Sequence, residues 1–142
     1  MLPQKAAKPV NMKKILLCLV GLALLSGPAY ASAQSPLEGR WRNGKMEVEI
    51  APCGKTLCGT VVKASPKQQA KAQRGSGTEL IGATLIKGIE RTGPRTYRAS
   101  VFVADRNVHA RGTIHQVSPD RLKVRGCVLA IICKSKTWDR VR

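Results

Sequence analysis

The chain has 142 residues and a formal charge of +17, from 25 Lys and Arg against 8 Asp and Glu. That length allows one domain, and a hydrophobic content of 43% excludes general disorder. Aromatic residues make up only 4%, which leaves the core to Val, Ile, Leu and Ala and argues against a base-stacking surface for specific nucleic-acid binding.

The N-terminus explains part of the charge. Met12-Lys13-Lys14 is a positive n-region, Ile15 to Leu25 is a short apolar run, and Ala29-Tyr30-Ala31 and Ala31-Ser32-Ala33 offer small-x-small cleavage sites. This is the pattern of a secretory signal peptide over residues 1–33, with translation able to begin at Met12. The run is shorter than the about 20 residues of an ordinary transmembrane helix, so no membrane span is expected after cleavage. An uncleaved anchor is the alternative. Cleavage after Ala33 removes Lys5, Lys8, Lys13, Lys14 and Cys18, and leaves residues 34–142 as a single domain of strongly basic character.

Gly39-Arg40-Trp41 opens the folded part. Met46-Glu47-Val48-Glu49-Ile50 then alternates strictly, which predicts a half-buried strand with Met46, Val48 and Ile50 inward. Pro52 ends it, and a second strand leaves through Leu57 to Lys63. Ser65 to Thr78 carries no strong apolar residue and four cations. Gln, Ala and Lys would allow a short polar helix over 66–74, but without an apolar face the segment reads as a mobile loop. Strand pattern returns at Ala83 to Thr92 and, after the Gly93-Pro94 turn, at Tyr97 to Val103 with Tyr97, Ala99 and Val101 inward. Val108 to Val117 follows with Val108, Ala110, Gly112 and Ile114 on one face. Arg121 to Arg125 turns Leu122 and Val124 inward, and Ser135 to Val141 finishes the chain with Trp138 and Arg140. About eight short strands joined by tight turns predict an all-β fold, an antiparallel up-and-down barrel, because closure removes exposed strand edges. A sandwich is the alternative.

Cys53, Cys58, Cys127 and Cys133 remain after cleavage, an even number in a small exported domain, and so read as two disulfides. Local pairing, Cys53 with Cys58 and Cys127 with Cys133, needs only short turns and is favoured. Crossed pairing would close a loop of about 75 residues and stabilise more in the chain-entropy model. A zinc site is the third option, with spacings looser than those of zinc fingers. Between the last two cysteines lies an apolar bend, Val128 to Ile132.

The residues that carry chemistry elsewhere form no constellation here. His109 and His115 share a strand face but sit roughly 20 Å apart, too far to hold one ion. Glu47 and Glu49 read as solubilising positions beside basic neighbours. Ser76 lies in Gly75-Ser76-Gly77 without a base or an orienting partner, and Gly75-x-Gly77 lacks the strand-to-helix setting of a phosphate loop. The sequence therefore calls for no cofactor, no metal and no catalytic residue.

Several pieces in order carry a resemblance: Gly39-x-Trp41, Val48-x-Ile50-x-x-Cys53, Leu57-Cys58-Gly59, Leu122-x-Val124-Arg125-Gly126-Cys127, Cys133 and Trp138-x-Arg140-Val141. Together, over about residues 37–142, they resemble the exported bacterial proteins grouped as DUF2147. The resemblance implies a lipocalin-like barrel open at one end, of the kind that carries small apolar molecules, and it implies no catalytic residues. The segment Ile89 to Arg95 departs from the pattern of many members, which puts any ligand preference tied to that region in doubt. Gly39-x-Trp41 is also similar to the opening of lipocalins proper, where the Trp packs at the closed end beneath an Arg of the final strand; Arg140 is placed for that part through a cation–π contact worth roughly 0.5–2 kcal/mol.

The function expected is an exported, periplasmic or secreted, non-catalytic protein that holds a small apolar or amphiphilic ligand. Its candidate lining is Met46, Val48, Ile50, Tyr97, Ala99, Val101, Val108, Ala110, Leu122 and Val124. The same set would serve a barrel packed solid. The alternative is a surface binder that uses Arg98, Arg111, Arg121, Lys123 and Arg125 on an anionic envelope polymer or lipid headgroup. An enzyme of unidentified type stands third.

Overall fold

Alternating inward and outward side chains dictate the architecture. The computed structural model describes Gly27 and residues 33–142; the rest of the expected signal-peptide segment lies outside the described residues. Eight strands follow one another as β1 (Gly39–Asn43), β2 (Met46–Cys53), β3 (Thr56–Lys63), β4 (Thr84–Gly93), β5 (Thr96–Val103), β6 (Val108–Ser118), β7 (Arg121–Val128) and β8 (Ile132–Arg140). Each pairs antiparallel with the next, and β8 returns to β1 through Trp41–Arg140 and Arg42–Asp139. The sheet is a closed barrel with no free edge, the solution expected for strands joined by tight turns.

A short helix, α1 (Pro66–Ser76), joins β3 to β4. This corrects the expectation of a loop over Ser65–Thr78. Three local devices make the helix. Ser65 and Gln68 form a reciprocal capping box, Pro66 occupies the first turn, where its missing N–H costs nothing, and Gly77 closes the C-terminus at φ 69°. The apolar face that the sequence lacks is replaced by small residues. Ala72 is buried, and a side chain on Gly75 would run into the backbone of Ala104 and Asp105, so the helix lies directly on the β5–β6 turn.

The strand order sorts the turns into two ends. At one lie residues 35–38, the β2–β3 hairpin, Gly93–Arg95 and Pro119–Asp120; at the other lie the β1–β2 turn, α1, the β5–β6 turn and the β7–β8 hairpin. The disulfides follow the local pairing. Cys53–Cys58 staples the β2–β3 hairpin at the first end, and Cys127–Cys133 joins directly opposite residues of β7 and β8 at the second. Engagement in disulfides takes these sulfurs out of reach of zinc.

One outward carboxylate differs from its sequence reading. Glu47 is only 5% exposed, because Arg42 donates to its Oε1 from Nε (3.2 Å) and Nη2 (2.9 Å), while Arg40 and Lys63 close over it at 3.8 and 3.9 Å. Three cations from the two flanking strands, β1 and β3, cover it on the outer wall, whereas Glu49 stays exposed.

Candidate functional site

The first end is plugged. Trp41 is fully buried and donates its indole N–H to the Leu37 carbonyl at 2.8 Å. The guanidinium of Arg140 lies over the ring, 4.1 Å from its centroid, and donates to the carbonyls of Pro119 (3.0 Å), Glu38 (2.9 Å) and Pro36 (2.8 Å), with Asp120 at 3.7 Å. Gly39 at φ 123° makes this possible, since a Cβ there would stand 2.7 Å from Arg140 Nη1. The Gly39-x-Trp41 spacing is thus a steric requirement of the plug. Ile50, Tyr97, Ile114 and Leu122 are buried with it in the same core cluster.

The second end is hollow. A cavity of about 400 Å³ lies at the mouth beneath α1, within the range of about 300–1,000 Å³ usual for small-molecule sites. Met46, Val48, Leu85, Ile86, Val101 and Val124 give it apolar walls, and Gln68, Lys71 and Ala72 of α1 close over it. Of the ten lining residues expected from the sequence, Met46, Val48, Val101 and Val124 line this cavity. Ile50, Tyr97, Ala110 and Leu122 are buried away from it, and Ala99 and Val108 are half-buried and also outside it. The interior is therefore part packed core and part cavity.

Strand β8 supplies the polar part. Its inward row runs Ile132, Lys134, Lys136, Trp138, Arg140 by the period of two, and Lys134, Lys136 and Trp138 all line the cavity. Trp138 is 6% exposed, and its Nε1 is the buried side-chain nitrogen that lacks a hydrogen-bond partner among the described residues. No ion pair among the described residues engages Lys71, Lys134 or Lys136; Asp105 is the one acid in the cavity lining. Apolar walls, a buried donor left unpaired and three free cations at the rim together suit an amphiphile with an acceptor-bearing, anionic head. Sequence reasoning placed the useful cations on the outer wall and missed Lys134 and Lys136. Counting back by twos from Trp138 would have found them.

The remaining candidates stay apart. His109 is exposed and packs on Phe102 with ring centroids 4.9 Å apart, while His115 faces Thr96 at 3.4 Å. Among the described residues no three His, Cys, Asp or Glu gather as a metal-binding group. On the outer wall, Arg98 is committed to Glu90 and Arg121 to Asp139, whereas Arg111, Lys123 and Arg125 stand exposed on the outward faces of β6 and β7.

Residues 39–140 match the family model described as an uncharacterized protein conserved in bacteria, DUF2147. The chain belongs to that family. Among solved structures this DUF2147 protein is similar to HP1028 of Helicobacter pylori, described as belonging to the lipocalin family. The TM-score is 0.59 at 13% identity, covering 75% of this chain and 83% of the other. At that identity the likeness carries the barrel fold and nothing finer. No curated protein matches the chain. No helix among the described residues of this DUF2147 chain is long and apolar enough to cross a membrane.

Proposed function

We propose that this protein is an exported, non-catalytic carrier that holds one small amphiphile at the open end of its barrel. The apolar tail lies among Val48, Ile86, Val101 and Val124, and the anionic head sits at the rim with Lys71, Lys134 and Lys136. The observation that carries this reading is the inward row of β8, which sets two unpaired lysines and an unpartnered indole N–H along one apolar cavity. A barrel of lipocalin type supports small-ligand binding, and two disulfides support an oxidising compartment outside the cytoplasm.

The test is native mass spectrometry of the mature protein from the periplasm, followed by solvent extraction. A single retained amphiphile at one-to-one stoichiometry is expected. Protein that emerges bare, and stays bare after incubation with long-chain carboxylates, would remove the carrier reading. A screen on ester, glycan and peptide substrates accompanies it, with no turnover expected. A second reading has its own support: Arg111, Lys123 and Arg125 form an exposed basic patch on the outer wall that no ion pair among the described residues engages. Charge reversal at Lys123 and Arg125 leaves a cavity ligand in place but abolishes binding of an anionic polymer to the wall.

A further inference from the structure

The β7–β8 hairpin ends in an apolar tip that the barrel does not use. Leu129 is 81% exposed, Ile131 84% and Ile132 60%, the largest exposures among the big hydrophobic side chains of the described residues. Tight hairpin turns ordinarily take Asn or Gly where φ is positive. Here Leu129 and Ala130 occupy that region, at φ 53° and 58°. Cys127–Cys133 clamps the two strands directly below. The chain thus holds two large apolar side chains, Leu129 and Ile131, out in water on a turn that polar residues would form more easily, with a third, Ile132, at the start of β8, and the disulfide clamps the hairpin beneath them.

The surroundings of the tip are basic. Gly126 pairs with Lys134 and Arg125 with Ser135 one and two positions below the disulfide, and Arg111 lies opposite Cys127 on β6. Lys134, Lys136 and Lys71 line the adjoining cavity mouth. An apolar point inside a collar of cations matches the layering of a bilayer, in which acyl chains lie beneath anionic headgroups. Leu129, Ala130 and Ile131 carry no side-chain hydrogen-bonding group, and lipid asks for none. One hairpin tip is also small beside the about 1,000 Å² that a specific protein interface needs.

We propose that the β7–β8 tip docks this protein on an anionic lipid bilayer, with Leu129, Ile131 and Ile132 inserted below the headgroups and the neighbouring lysines and arginines among the phosphates. This docking turns the cavity mouth toward the lipid surface. It does not depend on the cavity holding a ligand.

Flotation with vesicles of phosphatidylcholine, with and without phosphatidylglycerol, tests it on the mature, oxidised protein. The protein is expected to float with the phosphatidylglycerol vesicles and to stay in solution with the neutral ones. L129S/I131S, which alters only exposed side chains and keeps the melting curve, is expected to weaken binding at least about tenfold, as is K134Q/K136Q. Unchanged binding by L129S/I131S would overturn the proposal in favour of plain charge adhesion. Absence of flotation with either vesicle would overturn it as well, and concentration-dependent self-association abolished by L129S/I131S would assign the tip to a second copy of the chain instead. Retention of a cavity ligand by a protein that does not float would leave the carrier reading standing while removing this one.

Discussion

Two tryptophans flank the β1–β8 seam, one on each strand, and their different treatment shows how the barrel divides its labour. Trp41 pairs in register with Arg140; Trp138 lies two residues earlier on the same inward row of β8. The indole of Trp41 is satisfied by Leu37 and covered by Arg140, whose own donors are taken up by three carbonyls. The indole of Trp138 borders a cavity and has no hydrogen-bond partner among the described residues. The cations repeat the contrast, since Arg140 is engaged by three carbonyls and Asp120 while Lys134 and Lys136 have no ion pair among the described residues. One end spends its polar groups on stability, and the other leaves them available for a ligand.

The largest expected effect lies at the plug. Trp41→Ala should destabilise the domain by about 3–5 kcal/mol, since it empties a fully buried site, and urea titration followed by far-UV circular dichroism reads this directly. A smaller loss attends the staples. C127S/C133S should cost about 2 kcal/mol, the chain-entropy value for so short a loop, and the matching loss of vesicle binding would show whether the clamp serves the tip as well as the fold.

The sharpest form of the comparison is a pair of equal substitutions. Trp41→Phe strands the Leu37 carbonyl and should lose about 1–3 kcal/mol, whereas Trp138→Phe removes a donor that is already unpaired and should cost less than about 1 kcal/mol. Equal losses in the two melting curves would erase the distinction between the ends. The smallest effect on stability belongs to K134Q/K136Q, expected within about 0.5 kcal/mol of the parent because both side chains are exposed and unpaired. Its consequences should appear in ligand choice and in vesicle binding.

The barrel was legible because strict alternation, as in residues 46–50 and 121–125, leaves one reading for a strand, and because Pro and Gly punctuate the turns. The local disulfides were legible because each closes only a short turn, and the Trp41–Arg140 stack because the Gly39-x-Trp41 opening is similar to that of lipocalins proper. Helix α1 was hidden, because its stability comes from caps at Ser65 and Gly77 and from small residues pressed on the β5–β6 turn, none of which leaves an apolar stripe. The cavity was hidden too. Val48 and Ile50 lie on one face of one strand, yet the first lines a hollow and the second is packed, a difference set by what arrives from β4, β8 and α1. The lysines of the mouth escaped notice because a cation at an inward position reads as an error of pattern until the space beside it is seen.

The most direct test of the central claim is a calorimetric titration of the delipidated protein with a long-chain carboxylate and with the alcohol of the same chain length. If the open end is an apolar cavity with a cationic rim, the carboxylate binds at one-to-one stoichiometry and at least about tenfold tighter, as a charge-assisted hydrogen bond worth about 1.5–3 kcal/mol requires. In K134Q/K136Q the two ligands should then bind alike. Equal affinities in the parent protein, or a carboxylate preference that survives in K134Q/K136Q, would contradict the account.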